Sequence, residues 1–207
     1  LVWICRWLGY GLMPLGANKA ALFGVAGVST DTSVLLATGV ASSSASLIFT
    51  LPTIYKQVVF SFHEIQAATD ATKFGFQCSI DGGSNYNTPI TSTAFSSYNN
   101  ETGTDSLLTY NAGMDLAQGT TLQTFTPSMG TDADQCLSGE LNLFNPASTT
   151  YVKQFYVRTI NYDGRDYAWD AYIAGYVNDG ANDLTNIKFY CLAGNITSGT
   201  IKMWGVL

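Results

Sequence analysis

Hydrophobic and polar residues alternate in two neighbouring stretches, residues 58–65 and residues 73–80. In the first stretch one face carries Val58, Phe60 and Phe62. In the second, one face carries Phe74, Phe76, Cys78 and Ile80, and the other carries Lys73, Gly75, Gln77 and Ser79. A period of two predicts strands with one buried and one solvated face. The sequence DGG at residues 81–83 tolerates positive φ, so a tight turn is predicted there.

Short apolar runs separated by turn residues continue to the end of the chain. They lie at residues 47–51, 93–97, 106–110, 121–125, 137–143, 151–160, 166–177, 186–192 and 200–206. In the run at 151–160, the core face is predicted to carry Tyr151, Phe155 and Val157. This spacing predicts an all-β fold for residues 47–207, a two-sheet antiparallel sandwich that is jelly-roll-like.

The first 46 residues differ from this pattern and are predicted to form an irregular N-terminal arm or linker. Residues 1–12 are apolar without a period and precede Met13, so we interpret them as lying upstream of the true start; if native, they would form an apolar patch that needs a partner. Residues 13–46 are rich in Ala, Gly, Ser, Thr and Val. Such a segment buries little area, and attachment to other proteins is its expected role.

Charge and cysteine content narrow the class of protein. The net charge is −6 and only 12% of residues are charged, which argues against nucleic-acid binding through phosphates. No apolar segment is long enough to span a membrane, so no membrane insertion is expected. The four cysteines, Cys5, Cys78, Cys136 and Cys191, lack zinc-site spacing. Buried free thiols are favoured for Cys78 and Cys191, and a disulfide between them stays open.

Catalytic chemistry finds little support in the chain. His63 is the only histidine, and neither a nucleophile elbow nor a phosphate loop occurs. Seven carboxylates could in principle pair for glycoside cleavage, but turns or solvated faces explain each one: Glu64, Asp70, Glu101, Glu140, Asp163, Asp166 and Asp170. The sequence NDGAND at residues 178–183 is interpreted as a turn rather than a calcium loop. No catalytic residue, cofactor or metal is therefore expected.

The run at residues 166–177 carries large side chains on both of its faces. One face, which includes Trp169 and Ile173, fits a core. The other carries Asp170, Tyr172 and Tyr176, a mixture of rings and a carboxylate that suits an exposed surface. Rings beside hydrogen-bonding groups can bind a glycan or receptor. Tyrosine is also enriched at subunit interfaces, and that interpretation is favoured.

Three stretches together resemble structural proteins of tailed bacteriophages. They are LGANKAALFGVAG at residues 15–27, the segments SFHEIQAATD and FQCSIDGGSNY at 61–70 and 76–86, and IKFYCLAGNITSGTIKMWGV at 187–206. The resemblance implies a β-sandwich located in the virion and assembled as a homotrimer, of the tail-fibre-like or receptor-binding type. It maps no functional site. We expect a non-enzymatic protein attached to other virion proteins through its arm and contacting a host surface glycan. Alternatives are a capsid decoration or cement protein and a carbohydrate-binding module of a depolymerase.

Overall fold

The computed structural model describes residues 33–206, which form two antiparallel β-sheets packed face to face. The strands are β1 (Ser33–Val40), β2 (Leu47–Thr50), β3 (Gln57–Ala67), β4 (Phe74–Ser79), β5 (Ile90–Asn100), β6 (Ser106–Tyr110), β7 (Gln123–Thr124), β8 (Leu137–Phe144), β9 (Lys153–Tyr162), β10 (Tyr167–Val177), β11 (Asn186–Cys191) and β12 (Ile196–Val206). The predicted all-β sandwich is confirmed. Residues 1–12, interpreted as upstream of the true start, lie outside the described residues. So does the rest of the predicted arm up to residue 32.

The two sheets are unequal in size. The larger sheet has eight strands in the order β1-β12-β3-β8-β9-β10-β5-β6, and the smaller has four in the order β2-β11-β4-β7. The small sheet can cover only part of one face of the large one, so the other face of the large sheet points away from the core. That outward surface is called here the outer face.

Phenylalanine rings fill the space between the sheets. Phe60 and Phe62 project inward from β3, and Phe74, Phe76 and Phe189 project from the small sheet. The rings of Phe62 and Phe74 meet edge to face, with centroids 5.7 Å apart and planes at 85°. Because these aromatic pairs join the two sheets, the alternation in β3 and β4 accounts for much of the core.

Strand β4 departs from the predicted pattern of one buried and one solvated face, because all six of its residues are buried. A segment of the chain that includes Thr121 and Gln123 covers its second face. Gln77 Nε2 donates to Thr121 O at 3.0 Å, and a Cβ at Gly75 would overlap the backbone of Gln123. The prediction that Gln77 faces solvent is therefore wrong.

Two apolar residues that were predicted in the core lie just outside their strands. Ile80 follows the last residue of β4 and is 40% exposed. Tyr151 precedes the first residue of β9 and is 73% exposed. The alternation of inward and outward side chains holds only within a strand. Beyond the strand ends the chain turns, and side chains no longer follow the pleat. Phe155 and Val157, predicted with Tyr151, are buried as expected.

The predicted boundary between arm and domain, at residue 47, lies inside the connected sheet structure. Residues 33–40 form β1, which pairs with β12 from Ser33 opposite Val206 to Val40 opposite Thr200. Ala41 is buried, and its N–H donates to Gly199 O at 2.9 Å. The amino-acid composition of residues 33–40 does not indicate a strand. The reason is that β1 lies at a sheet edge and none of its own side chains is fully buried.

The cysteines of the small sheet are free thiols, as favoured from the sequence. In the β4–β11 ladder Cys78 lies opposite Ile187, and Cys191 lies opposite Phe74. The two cysteines are therefore four pairs apart, too far for a disulfide. Burial raises the pKa of both thiols, that of Cys191 to about 11. Cys5 lies outside the described residues.

Candidate functional site

The three candidate residues of β10 lie on the outer face of the larger sheet. Asp170, Tyr172 and Tyr176 alternate with side chains that point into the core, among them Trp169 and Ile173. The predicted division of this strand into a core face and an exposed face is confirmed. Strands β9 and β5 flank β10, so their outward side chains complete the surface around the three residues.

A row of large side chains at paired strand positions crosses the outer face through Tyr172. Its members, here called the aromatic row, are Arg158 on β9, Tyr172 on β10, Phe95 on β5 and Tyr110 on β6, each opposite the next in the strand ladders. The rings of Phe95 and Tyr172 are parallel within 5°, with centroids 4.9 Å apart. The guanidinium carbon of Arg158 lies 4.9 Å from the centre of the Tyr172 ring. This distance fits a cation–π contact.

Asp170 holds Arg158 in place above Tyr172. Arg158 Nε donates to Asp170 Oδ1 at 3.1 Å, and Arg158 Nη2 donates to Asp170 Oδ2 at 3.0 Å. This two-point contact with the carboxylate raises the pKa of the Arg158 guanidinium. Because both oxygens of Asp170 are engaged, the carboxylate positions the arginine rather than standing free for a ligand.

The two faces of the Tyr172 ring are occupied. Strands β9 and β5 lie on opposite sides of β10, so Arg158 and Phe95 cover the ring from opposite sides. A sugar that stacks on tyrosine needs a free ring face. Tyr172 presents its edge instead, which favours the interpretation as a contact surface for protein over one as a sugar-stacking platform.

A groove runs beside the aromatic row because a small residue separates two tyrosines of β10. Ala174 lies between Tyr172 and Tyr176 on the outer face, opposite Tyr156 on β9 and Thr93 on β5. The depression between Ala174 and the aromatic row has a volume of about 340 Å³. A second depression of about 440 Å³ shares Ala174 and Tyr156 and extends to Tyr176. Together they form an open, largely apolar groove.

The sequence does not indicate three members of the aromatic row: Arg158, Phe95 and Tyr110. Phe95 is the one ring among small polar residues on the outward phase of β5, and Arg158 lies in an ordinary alternating strand. Only the register, which sets both residues opposite Tyr172, makes them neighbours. The pairing of β9 with β10 can be predicted from the sequence, because the turn between them is short and predicts a hairpin. Nothing local aligns β5 with β10, because 66 residues separate the ends of these strands.

The carboxylates that could in principle pair for glycoside cleavage make structural contacts or lie apart from one another. Asp163 is fully buried, and it accepts from Trp169 Nε1 at 2.9 Å and from the N–H of Arg165 at 2.9 Å. Asp166 accepts from the hydroxyl of Tyr162 at 2.8 Å. Among residues 33–206, no three His, Cys, Asp or Glu side chains are grouped so that they could hold a metal ion.

The remaining four candidate acids are Glu64, Asp70, Glu101 and Glu140, and they are exposed. Glu101 accepts from the Tyr162 hydroxyl at 3.2 Å, and Glu140 accepts from Asn142 Nδ2 at 3.3 Å. His63 also lies on the outer face, where its Nε2 is 3.1 Å from Ser61 Oγ. These contacts are those of ordinary surface side chains.

The fold and the site together define an all-β sandwich whose larger sheet exposes an aromatic face. No known protein family, curated protein or solved structure matches this chain. Within residues 33–206 there is no helix long and apolar enough to cross a membrane.

Proposed function

We propose that this chain is a non-enzymatic structural protein of a tailed-bacteriophage virion, of the tail-fibre or receptor-binding type. The resemblance of residues 15–27, 61–86 and 187–206 to such proteins supports the place in the virion. The β-sandwich fold is compatible with it. The particular activity that we assign to the domain is to make protein contacts through its outer face, as one subunit of a homotrimer.

The exposed aromatic row is the observation that carries this proposal. Phe95, which stacks on Tyr172, is 46% exposed, and Tyr110, opposite Phe95 in the strand ladder, is 55% exposed. On neighbouring positions of the same face, Leu108 and Ile160 are also exposed. Single exposed apolar residues are ordinary, but a contiguous group is typical of a surface that another molecule covers.

Charge supports contact with protein rather than with an anionic ligand. The one cation in the aromatic row, Arg158, is neutralised by Asp170. The rest of the groove is lined mainly by apolar and hydroxyl side chains, with Glu140 and Gln154 as the other polar members. A surface of tyrosines and aliphatic residues with few charges is typical of subunit interfaces. Closed symmetric assembly is the usual way in which a chain buries such a surface, and the resemblance to fibre-type proteins favours three-fold symmetry.

Light scattering on the purified full chain tests the assembly. We expect the mass of three chains at micromolar concentration. The mass of a single chain over the whole concentration range would contradict the proposal. A dimer would retain the contact surface but contradict the three-fold symmetry.

Electron microscopy of particles that carry a labelled copy of the chain tests the location. Label on tail fibres or at the tail tip supports the proposal. Label spread over the head would instead support a capsid decoration protein, and no label on intact particles would contradict a place in the virion. Binding of a polysaccharide by a monomer would favour the carbohydrate-binding alternative.

A further inference from the structure

Lys153 breaks the pattern of the strand that contains it. It begins β9 on the core phase, the phase that also carries Phe155 and Val157. Its side chain is wholly buried, with none of its surface exposed. Lysine is almost never buried to this extent without a partner, because its long side chain normally carries the ammonium to solvent.

The partner of Lys153 is Asp179, in the turn that follows β10. The Nζ of Lys153 and the Oδ2 of Asp179 are in direct contact, and only 1% of the aspartate side chain is exposed. Val177, which is opposite Lys153 in the β9–β10 ladder, brings the turn close to the lysine. Amine and carboxyl group are thus held together out of reach of solvent.

The contact differs from an ordinary ion pair. Apart from its contact with the Nζ, Asp179 Oδ2 makes no hydrogen bond to any group in the described part of the chain. A stable buried ion pair depends on such hydrogen bonds, because its Coulomb energy alone does not offset the cost of removing both charges from water. As a salt bridge, the pair is poorly satisfied.

The other polar atoms of the pair are already placed as an amide would need them. Lys153 Nζ donates to Asn182 O at 2.5 Å, and Asp179 Oδ1 accepts from the N–H of Ala181 at 3.3 Å. An amide has one N–H and one carbonyl oxygen, and these two contacts would serve both. The atom with no partner besides the Nζ, Oδ2, is the one that an amide would lack.

We propose that Lys153 and Asp179 condense to an intramolecular amide, an isopeptide bond between strand β9 and the turn after β10. The ammonium transfers one proton to the carboxylate, and the free amine attacks Asp179 Cγ. The Nζ–Cγ bond forms and the Cγ–Oδ2 bond breaks. Oδ2 leaves as water with two of the three ammonium protons, and the third remains on the amide nitrogen, where it donates to Asn182 O.

Two physical effects favour this reaction in the folded protein. Groups held in contact react as if their concentration were on the order of 10⁵ M or more. The condensation also replaces two buried charges by one neutral, hydrogen-bonded group, which removes the desolvation cost of the ion pair. Exclusion of water from the site protects the product from hydrolysis.

Mass spectrometry of the purified full chain, denatured after it has folded, tests the proposal. We expect a mass lower than that of the sequence by one water molecule. After trypsin digestion we expect no cleavage at Lys153 and a branched peptide that joins Lys153 to the peptide containing Asp179. Lys153→Met and Asp179→Ala should each show the full mass of their own sequence. Lys188→Met, a change at a lysine outside this site, should retain the loss of water.

The peptide map separates the isopeptide bond from other losses of water. Asp179 precedes Gly180, and an Asp-Gly sequence can also lose water by forming a succinimide. A succinimide would leave Lys153 open to trypsin, so normal cleavage there would overturn the proposal. Recovery of two unlinked peptides from the folded protein would overturn it as well. Because the map uses the unaltered chain, the result stands even if the Lys153 and Asp179 variants fail to fold.

Discussion

Phe76 and Phe155 meet edge to face across the interior of the sandwich, with ring centroids 5.2 Å apart and planes at 85°. Phe76 belongs to the small sheet and Phe155 to the strand whose opposite face carries Arg158. The pair therefore connects the core directly to the strand that supports the aromatic row. Rigid support of this kind keeps outward side chains in a fixed arrangement.

Replacing Phe76 by alanine is expected to be severely destabilising. The residue is fully buried and contacts the rings of Phe125 and Phe155. Loss of such a side chain costs about 3–5 kcal/mol in free energy of unfolding, which denaturant titration measures. Ile80→Ala, just beyond the end of the same strand and partly exposed, is the control and should cost much less. Equal losses would mean that Phe76 is not a core residue.

Gln77→Ala is expected to be costly as well, in contrast to what the alternation of the sequence suggests. The side chain is buried, donates to Thr121 O and accepts from the N–H of Cys78 at 2.7 Å. Its removal leaves the buried N–H of Cys78 without a partner, which costs about 1–3 kcal/mol, and also removes the bond to Thr121 O. Gln154→Ala, at an exposed position, is the matched control in the same denaturant titration. A loss no larger than that of the control would contradict the burial of β4 on both faces.

Asp81 should contribute to stability at neutral pH and cease to do so in acid. Hydrogen bonds from the side chain of Ser79 and from the backbone and side chain of Asn85 lower the pKa of Asp81 to about 2, from 3.8. Because the unfolded chain takes up the proton more readily, the contribution is complete above the unfolded value. It is lost as the pH falls from 3.8 to about 2.

The measurement is the melting temperature of Asp81→Asn against the unaltered chain. The variant should melt lower at pH 7, and the difference should shrink as the pH approaches the lowered pKa. Asp134→Asn, at an exposed aspartate of another loop, should show no such pH-dependent difference. A difference for Asp81→Asn that stayed constant down to that pH would refute the assigned hydrogen bonds.

Truncation separates the arm from the domain. Removal of residues 1–32 should leave the melting temperature of the sandwich nearly unchanged, because all twelve strands described for residues 33–206 are kept. Removal of residues 1–46 also deletes β1 and exposes the edge of β12. Each kcal/mol lost lowers the melting temperature of a domain of this size by about 2–4 °C. If both truncations melted alike, β1 would not be an integral strand.

Tyr172→Glu tests the aromatic row as a subunit interface. The change removes the ring between Arg158 and Phe95 and adds a second carboxylate beside an arginine that Asp170 already neutralises. It should dissociate the assembly, because burying the extra negative charge is costly. Thr38→Glu, at an exposed position of β1, is the control and should leave the assembly intact. Light scattering measures the mass of the assembly that each variant forms. An intact assembly of Tyr172→Glu with impaired glycan binding would favour a receptor site instead.

Alternation along single strands was sufficient to predict the sandwich and both faces of β10. Trp169 and Ile173 point inward and Tyr172 points outward because successive side chains of a strand must point to opposite sides. This rule is local, so it can be applied to a sequence without knowing which strands are neighbours. It fails for β4, where the covering segment of Thr121 and Gln123 comes from a distant part of the chain.

Local sequence therefore determined most of the strands after residue 47 and which side of β10 faces solvent. The tertiary structure alone decided that β1 belongs to the larger sheet, that Arg158 and Phe95 enclose Tyr172, and that Lys153 meets Asp179 in the interior. The physical reason is register. Side-chain direction follows from the pleat of each strand, but which residues become neighbours depends on pairings between segments far apart in sequence.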